Sequence, residues 1–151
     1  MKKAIVTLTI GRKYETLFNT YCKNNWKKYC EKFDYDLIVV GAGSGGTRAA
    51  RISAGYGAKT AVIEGDRAGG TCVLRGCVPK KLLVYGSEFP RNFEDANGYS
   101  WEIGHYKSNW NELILKKNKE LDRLHEIYKN LILNSGCDLI DGWAKLNSKN
   151  E

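Results

Sequence analysis

No hydrophobic run in this 151-residue sequence approaches the roughly 20 residues that a membrane-spanning helix needs. The N-terminus, Met1 to Ile10, carries a short apolar run without the small-residue cleavage pattern of a secretory signal, so it reads as a strand. The protein is accordingly expected to be cytoplasmic, without a membrane partner. Cysteines number five, an odd count that does not fit a secreted disulfide framework. No second Cys/His pair stands near Cys72 and Cys77, so structural zinc is not expected. The remaining cysteines, Cys22, Cys30 and Cys137, read as small buried hydrophobes. Internal repeats and low-complexity segments are missing. The length suits one domain with a real core rather than two large ones.

What charge there is lies unevenly. Residues 1–33 hold eight lysines and arginines against Glu15 and Glu31, and so account for six of the net seven positive charges. Such a segment is compatible with nucleic acid, but a solvated helix face is the simpler reading, and no nucleic-acid partner is expected. The lysines fall between Leu17, Phe18, Tyr21, Cys22, Trp26, Tyr29, Cys30 and Phe33, which recur at helical spacing. A strand over 3–10 followed by this amphipathic helix makes one β-α unit.

The sequence then changes character. Tyr35 to Val40 is a continuous apolar strand of the kind buried in a parallel sheet, and Gly41-Ala42-Gly43-Ser44-Gly45-Gly46 follows at once. Ala49, Ala50 and Ala54 line a helix that Gly55 and Gly57 terminate, and Thr60 to Glu64 is the next strand. Three of the glycines have a job of their own: Gly41 permits the tight turn, Gly43 lets backbone approach a pyrophosphate, and Gly46 lets helix and sheet pack closely. The helix N-terminus supplies free N–H donors to phosphate, and Glu64 is placed to accept hydrogen bonds from a ribose. The strand, turn, helix, strand and terminal acid together make a dinucleotide-binding fingerprint.

Gly69-Gly70-Thr71-Cys72-Val73-Leu74-Arg75-Gly76-Cys77-Val78-Pro79-Lys80-Lys81 comes next. Two thiols that cycle between dithiol and disulfide must lie close, with one acting as thiolate. Lowering a thiol pKa needs positive charge or a helix N-terminus, and Lys80 and Lys81 are candidates for the charge. Residues 70–88 are predicted to form one helix with Leu82, Leu83 and Tyr85 inward and Pro79 inside it, bending the backbone. Residues 90–109 are expected to be irregular, 109–134 to be a long helix stopped by Gly136, and 138–140 and 143–146 to be short strands. His105 and His125 have no motif context and read as surface residues. The fold class is therefore α/β: a Rossmann-like parallel sheet with flanking helices, truncated, with an extra N-terminal β-α unit.

Residues 34–147 resemble the N-terminal, FAD-binding portion of the glutathione reductases, flavoprotein disulfide reductases. The motifs that carry the resemblance are residues 41–46, residues 69–81 and Asp122-Arg123-Leu124-His125-Glu126-Ile127-Tyr128. The resemblance implies that Ser44 and Gly45 hold the FAD pyrophosphate, Glu64 the ribose, and that Thr71 and Cys72 line the cofactor. It implies that Cys77 exchanges electrons with the flavin, that Cys72 attacks glutathione disulfide, and that Lys80 sits beside the flavin. Ser44, Arg51 and Tyr128 match positions that contact glutathione, and Ala144 matches a backbone contact to the adenine side of FAD. From the residues alone, Arg51 reads equally as a surface helix arginine and Tyr128 as core.

Two departures are expected to matter. The family uses NADPH through a further domain and forms a homodimer through another, and neither has a counterpart in this sequence; the acid–base histidine belongs to that missing part. The chain alone is thus expected to be an incomplete reductase. Residues 1–33 precede the family's first strand and resemble the start of a nucleotide-sugar glycosyltransferase, which makes a foreign β-α unit at 1–33 joined to a partial FAD-binding domain at 34–151. The alternative reading is a glycosyltransferase-like start fused to a non-catalytic flavin module. The strand at 3–10 is expected to pair in parallel with that at 35–40, on the side away from 59–64.

Overall fold

The computed structural model describes residues 34–144. The strand and helix expected within 1–33, and the pairing of 3–10 with 35–40, lie outside the described residues.

The apolar run after Tyr35 forms β1 (Leu37–Val40), and Thr60 to Glu64 forms β2. Between them lies α1 (Ser44–Gly55). The pair is parallel, with Leu37 opposite Thr60 and Val40 opposite Ile63. A third strand, β3 (Asp138–Asp141), joins the other side of β2 in parallel, Ala61 opposite Asp138 and Glu64 opposite Asp141. The order β1-β2-β3 makes β2 the central strand among the described residues. Alternation along β1 sends Leu37 and Val39 into one buried cluster, with Val62, Ala50, Ile132 and Cys137. Ile38 goes to the other face, with Ala61, Tyr35 and Ile63. Both faces of the strand are buried, which is why it reads as an unbroken apolar run rather than an alternating one.

Helix α1 reaches this sheet because its inward residues are small. Ala50 is fully buried and Ala54 packs against the same cluster. The helix ends as the glycines lead one to expect: Gly57 takes φ +87° and its N–H donates to Ala54 O. At the other end of the domain, α4 (Trp110–Leu133) starts on Asn109, whose side chain accepts from Glu112 N at 3.1 Å. Gly136, at φ +79°, donates to Leu133 O after the helix has stopped. The buried Leu121 and Ile132 face inward from α4.

The segment between β2 and α4 departs from expectation. In place of one helix over 70–88 there are two, α2 (Gly70–Leu74) and α3 (Cys77–Ala96), divided at Arg75 and Gly76. Pro79 therefore falls in the first turn of α3, where its missing N–H has no intrahelical partner to lose. The bend expected from it does not arise, and its ring is buried. The chain does not turn irregular at residue 90 either. Helix α3 runs through Pro90 to Ala96 and passes into a 3-10 turn over Asn97–Tyr99. Pro90 removes one ladder bond, and the helix continues through it. Phe93 lies 5.8 Å from Phe89 and 4.8 Å from Tyr106, centroid to centroid. Leu82 and Leu83 are half-buried as expected, whereas Tyr85 is 51% exposed rather than inward. Trp143 and Ala144 belong to no strand, and residues 145–146 of the second expected strand lie outside the described residues. Among the described residues no helix is long and apolar enough to cross a membrane.

Candidate functional site

The turn between β1 and α1 is built on backbone contacts that side chains would prevent. Gly41 sits at φ +97° and its N–H donates to Ile63 O at 2.8 Å. A Cβ on Gly46 would lie 1.9 Å from Gly41 O, so helix and turn are in direct backbone contact. The first N–H of α1 with a helical partner is that of Thr47, which donates to Gly43 O at 2.9 Å. The preceding N–H groups of Ser44, Gly45 and Gly46 are the free donors of the helix N-terminus, where the backbone dipole favours an anion. The Thr47 hydroxyl closes the turn from inside by donating to Ala42 O at 3.1 Å.

Glu64 is held across the mouth of this turn. One carboxylate oxygen accepts from Ala42 N at 2.6 Å and the other from Asp66 N at 2.9 Å. Each oxygen keeps a second lone pair, so the fixed carboxylate can still accept from a diol. The three free donors, bare glycine backbone and a positioned acid fit the phosphates and ribose of a dinucleotide.

The dithiol segment is fastened to the same turn. Gly69 N donates to Ala42 O at 2.9 Å. Gly70, at φ +63°, comes so near that a Cβ there would be 2.6 Å from Gly43 Cα. Thr71 and Cys72 follow directly on α2. Cys77 is the first residue of the 20-residue α3. Hydrogen bonding toward the neighbouring Cys77 is the chief influence on the Cys72 thiol. That bond, followed by burial and by the charge of Cys77, raises the Cys72 pKa above the ordinary thiol value; the Cys77 backbone and the Lys80 cation act in the opposite direction. Cys72 is thus not the acidified thiol that neighbouring lysines led one to expect. Its neutral form is favoured because its proton is held toward Cys77. Lys80 is exposed on the first turn of α3.

Long-range contacts brace the segment from α4. Arg67 pairs with Asp122 at 2.7 Å, and His125 Nδ1 lies 3.2 Å from Ala68 O. His125 is therefore half-buried and structural rather than a surface residue, while His105 is exposed. Arg75 pairs with Asp66 across the α2–α3 break. Cys137 is buried in the main cluster, which raises its pKa.

Ser44, Arg51 and Tyr128, far apart in sequence, line one groove of about 650 Å³ between α1 and α4. Arg51 Nε donates to Ser135 Oγ at 3.3 Å, and that hydroxyl donates in turn to Leu131 O at 2.7 Å. Arg48 lines the groove too. The sequence reading passed over it, although its i, i+3 spacing from Arg51 places both cations on one helix face. The groove lining contains no carboxylate, so its chemistry suits an anionic ligand. Ala144 is exposed and stands apart from this groove, beside Trp143 and the β2 terminus.

Residues 35–151 match the sequence profile described as pyridine nucleotide-disulphide oxidoreductase. Glutathione reductase of Nostoc is 54% identical over 114 residues, covering 76% of this chain and 25% of that protein. Glutathione reductase of Burkholderia cepacia is 50% identical over 120 residues, covering 80% of this chain and 27% of that protein. The chloroplastic/mitochondrial glutathione reductase of Pisum sativum is 48% identical, covering 76% of this chain and 23% of that protein. The chain thus spans about a quarter of the length of the curated relatives it matches. The glycosyltransferase-like alternative is not favoured by these matches.

Proposed function

The chain belongs to the pyridine nucleotide-disulphide oxidoreductase family, and from that membership we propose that it forms the FAD-binding, dithiol-bearing part of a glutathione-disulfide reductase. The observation that carries the reading is the backbone contact of Gly43 with Gly70, which fixes the Cys72–Cys77 pair against the dinucleotide turn. FAD, when bound, supplies the two-electron link between a nicotinamide donor and the disulfide. Ser44, Gly45 and Gly46 would hold its pyrophosphate through their N–H groups and Glu64 its ribose. Thr71, Cys72 and Lys80 would line the flavin side and Ala144 the adenine side. NADPH as donor, a homodimer as the working assembly and a cytoplasmic location belong to the same proposal.

The chain's own residues perform the disulfide half of the reaction. Glutathione disulfide is multiply anionic, and the groove offers Arg48 and Arg51, with the Ser44 and Tyr128 hydroxyls as further polar contacts. Cys72, once deprotonated, attacks one sulfur of the substrate; the substrate disulfide breaks, a mixed disulfide forms and one glutathione thiolate leaves. Cys77 thiolate then attacks the Cys72 sulfur and releases the second glutathione. Two protons and two electrons pass from the dithiol to two glutathione molecules, leaving Cys72–Cys77 oxidised.

This half-reaction is testable without turnover. The reduced chain mixed with one equivalent of glutathione disulfide should release two glutathione thiols per Cys72–Cys77 pair. Cys77→Ala should stop after one, with a single glutathione adduct on Cys72 by mass spectrometry. Reaction no faster than that of the urea-unfolded chain at the same pH would refute the reading. Reconstitution with FAD should yield a visible flavin spectrum that survives gel filtration.

A further inference from the structure

Trp143 is the feature that neither the dithiol chemistry nor the groove uses. It is 83% exposed, yet its ring packs on backbone. A Cβ on Gly65 would lie 2.4 to 2.8 Å from three atoms of the ring, so one edge or face of the indole rests on the bare Gly65 backbone. The adjoining Gly142, at φ +155°, donates its N–H to Glu64 O at 2.8 Å, which fastens the Trp143 segment to the end of β2. Glu64, Gly65 and Trp143 thus stand together at the carboxyl end of the central strand, where open α/β sheets bind their ligands. Burying a tryptophan in the protein core would contribute far more than leaving it in water, so a large flat apolar surface fixed in the open gains its value from what lies on it.

We infer that the exposed surface of the Trp143 indole is the stacking platform for the purine of an adenine nucleotide whose ribose Glu64 accepts. The inference rests on the dinucleotide reading of the Gly41–Gly46 turn and adds a residue to it. Glu64 fixes the sugar, the α1 N-terminus takes the phosphates, and Trp143 supplies the π surface for the base. Base-on-aromatic stacking contributes roughly 1–3 kcal/mol, which corresponds to about a 5- to 150-fold change in affinity.

The test uses the full chain and its tryptophan emission, with ADP, FAD and FMN as probes. ADP carries the adenine and pyrophosphate without the flavin, and FMN carries the flavin without the adenine. ADP and FAD should quench emission and shield a tryptophan from acrylamide, and FMN should do neither. Trp143→Leu should lose the ADP-dependent quenching and bind ADP at least about fivefold more weakly, whereas Trp143→Phe, which keeps an aromatic face, should lie between. If the wild-type chain binds ADP or FAD but no tryptophan responds, or if Trp143→Leu binds them as the wild type does, the platform is refuted and the dinucleotide site stands. If the wild-type chain binds neither, the dinucleotide reading falls and the platform with it. Because Trp26, Trp101 and Trp110 emit as well, the acrylamide experiment repeated on a chain with those three replaced by phenylalanine reports Trp143 alone, and absence of ADP shielding there refutes the platform even if Trp143→Leu does not fold.

Discussion

Two glycines of one helix make a controlled experiment. In Gly46→Ala the new Cβ would meet Gly41 O at 1.9 Å, with Gly41 C and the Val39 side chain both at 3.1 Å. An ordinary contact begins near 3.4 Å, so helix and turn must separate by roughly 1.5 Å. The obstacle is backbone, which has no rotamer to move away, and the turn is held by the Gly41 N to Ile63 O bond at 2.8 Å. Any retreat of α1 opens space at Thr47 and Ala50, both buried. Overpacking of this kind costs about 1–3 kcal/mol or more, against a gain of up to about 1 kcal/mol in helix propensity. Gly55, at the other end of the same helix, has nothing within 4 Å of its would-be Cβ and no positive φ. Gly55→Ala should leave stability unchanged or raise it by about 0.4–1 kcal/mol. Urea unfolding followed by far-UV circular dichroism should therefore lower the midpoint for the first variant and hold or raise it for the second. The same order should appear in ADP affinity, since only Gly46 adjoins the free N–H donors. Equal midpoints for the two variants would refute the claim that α1 is held against the turn by backbone contact.

Other expectations follow from the same geometry. Iodoacetamide labelling of Cys72 should reach half-maximal rate at a pH above that of an ordinary thiol, and Cys77→Ala should lower that pH by removing the hydrogen bond that is the chief cause. Because the folded-state value is the raised one, the stabilisation from this pair is complete below the unfolded thiol pKa. It is lost as pH rises through the folded value, so the wild type should lose more stability than Cys77→Ala on going alkaline. Cys137, buried and raised chiefly by burial, should stay unlabelled until the protein unfolds. Arg51→Ala should weaken glutathione disulfide binding, read by calorimetry, by roughly 10- to 100-fold, as expected for a lost charge-assisted hydrogen bond. Arg48→Ala should weaken it less, and both effects should shrink in high salt. Asn109→Ala removes the cap on Glu112 N and should cost about 1 kcal/mol in the urea midpoint without changing thiol reactivity.

What was legible in the sequence was whatever is written locally. β1, the glycine turn, α1 and β2 follow from an apolar run, three glycines and small residues at helical spacing, and the structure places each within a residue or two. The long helix announced itself by its period and by Asn109 and Gly136. What was hidden depended on contacts between segments. Nothing near Gly70 says that its Cα must pass Gly43, and nothing near His125 says that its ring meets Ala68 O. Arg48 escaped notice because a groove between two helices has no signature in either helix alone.

The break at Arg75–Gly76 stands between these cases, because the chemistry demands it. In one continuous helix, residues 72 and 77 would be about 140° apart around the axis and about 7.5 Å apart along it. Thiols so placed neither hydrogen-bond nor close to a disulfide, which needs Cβ atoms about 4 Å apart. A dithiol with this spacing therefore implies that the helix is interrupted between its cysteines. The interruption falls where the chain can make it: Gly76 takes φ −123° and ψ −104°, and a Cβ there would already be 3.0 Å from Thr71 O. With the helix restarted at Cys77, Pro79 drops into the first turn, where proline is tolerated, and Cys77 receives the positive end of a 20-residue helix. The proline expected to bend one helix thus marks where the second helix begins. The same restart brings Cys77 beside Cys72, and it is this neighbour that chiefly raises the Cys72 pKa.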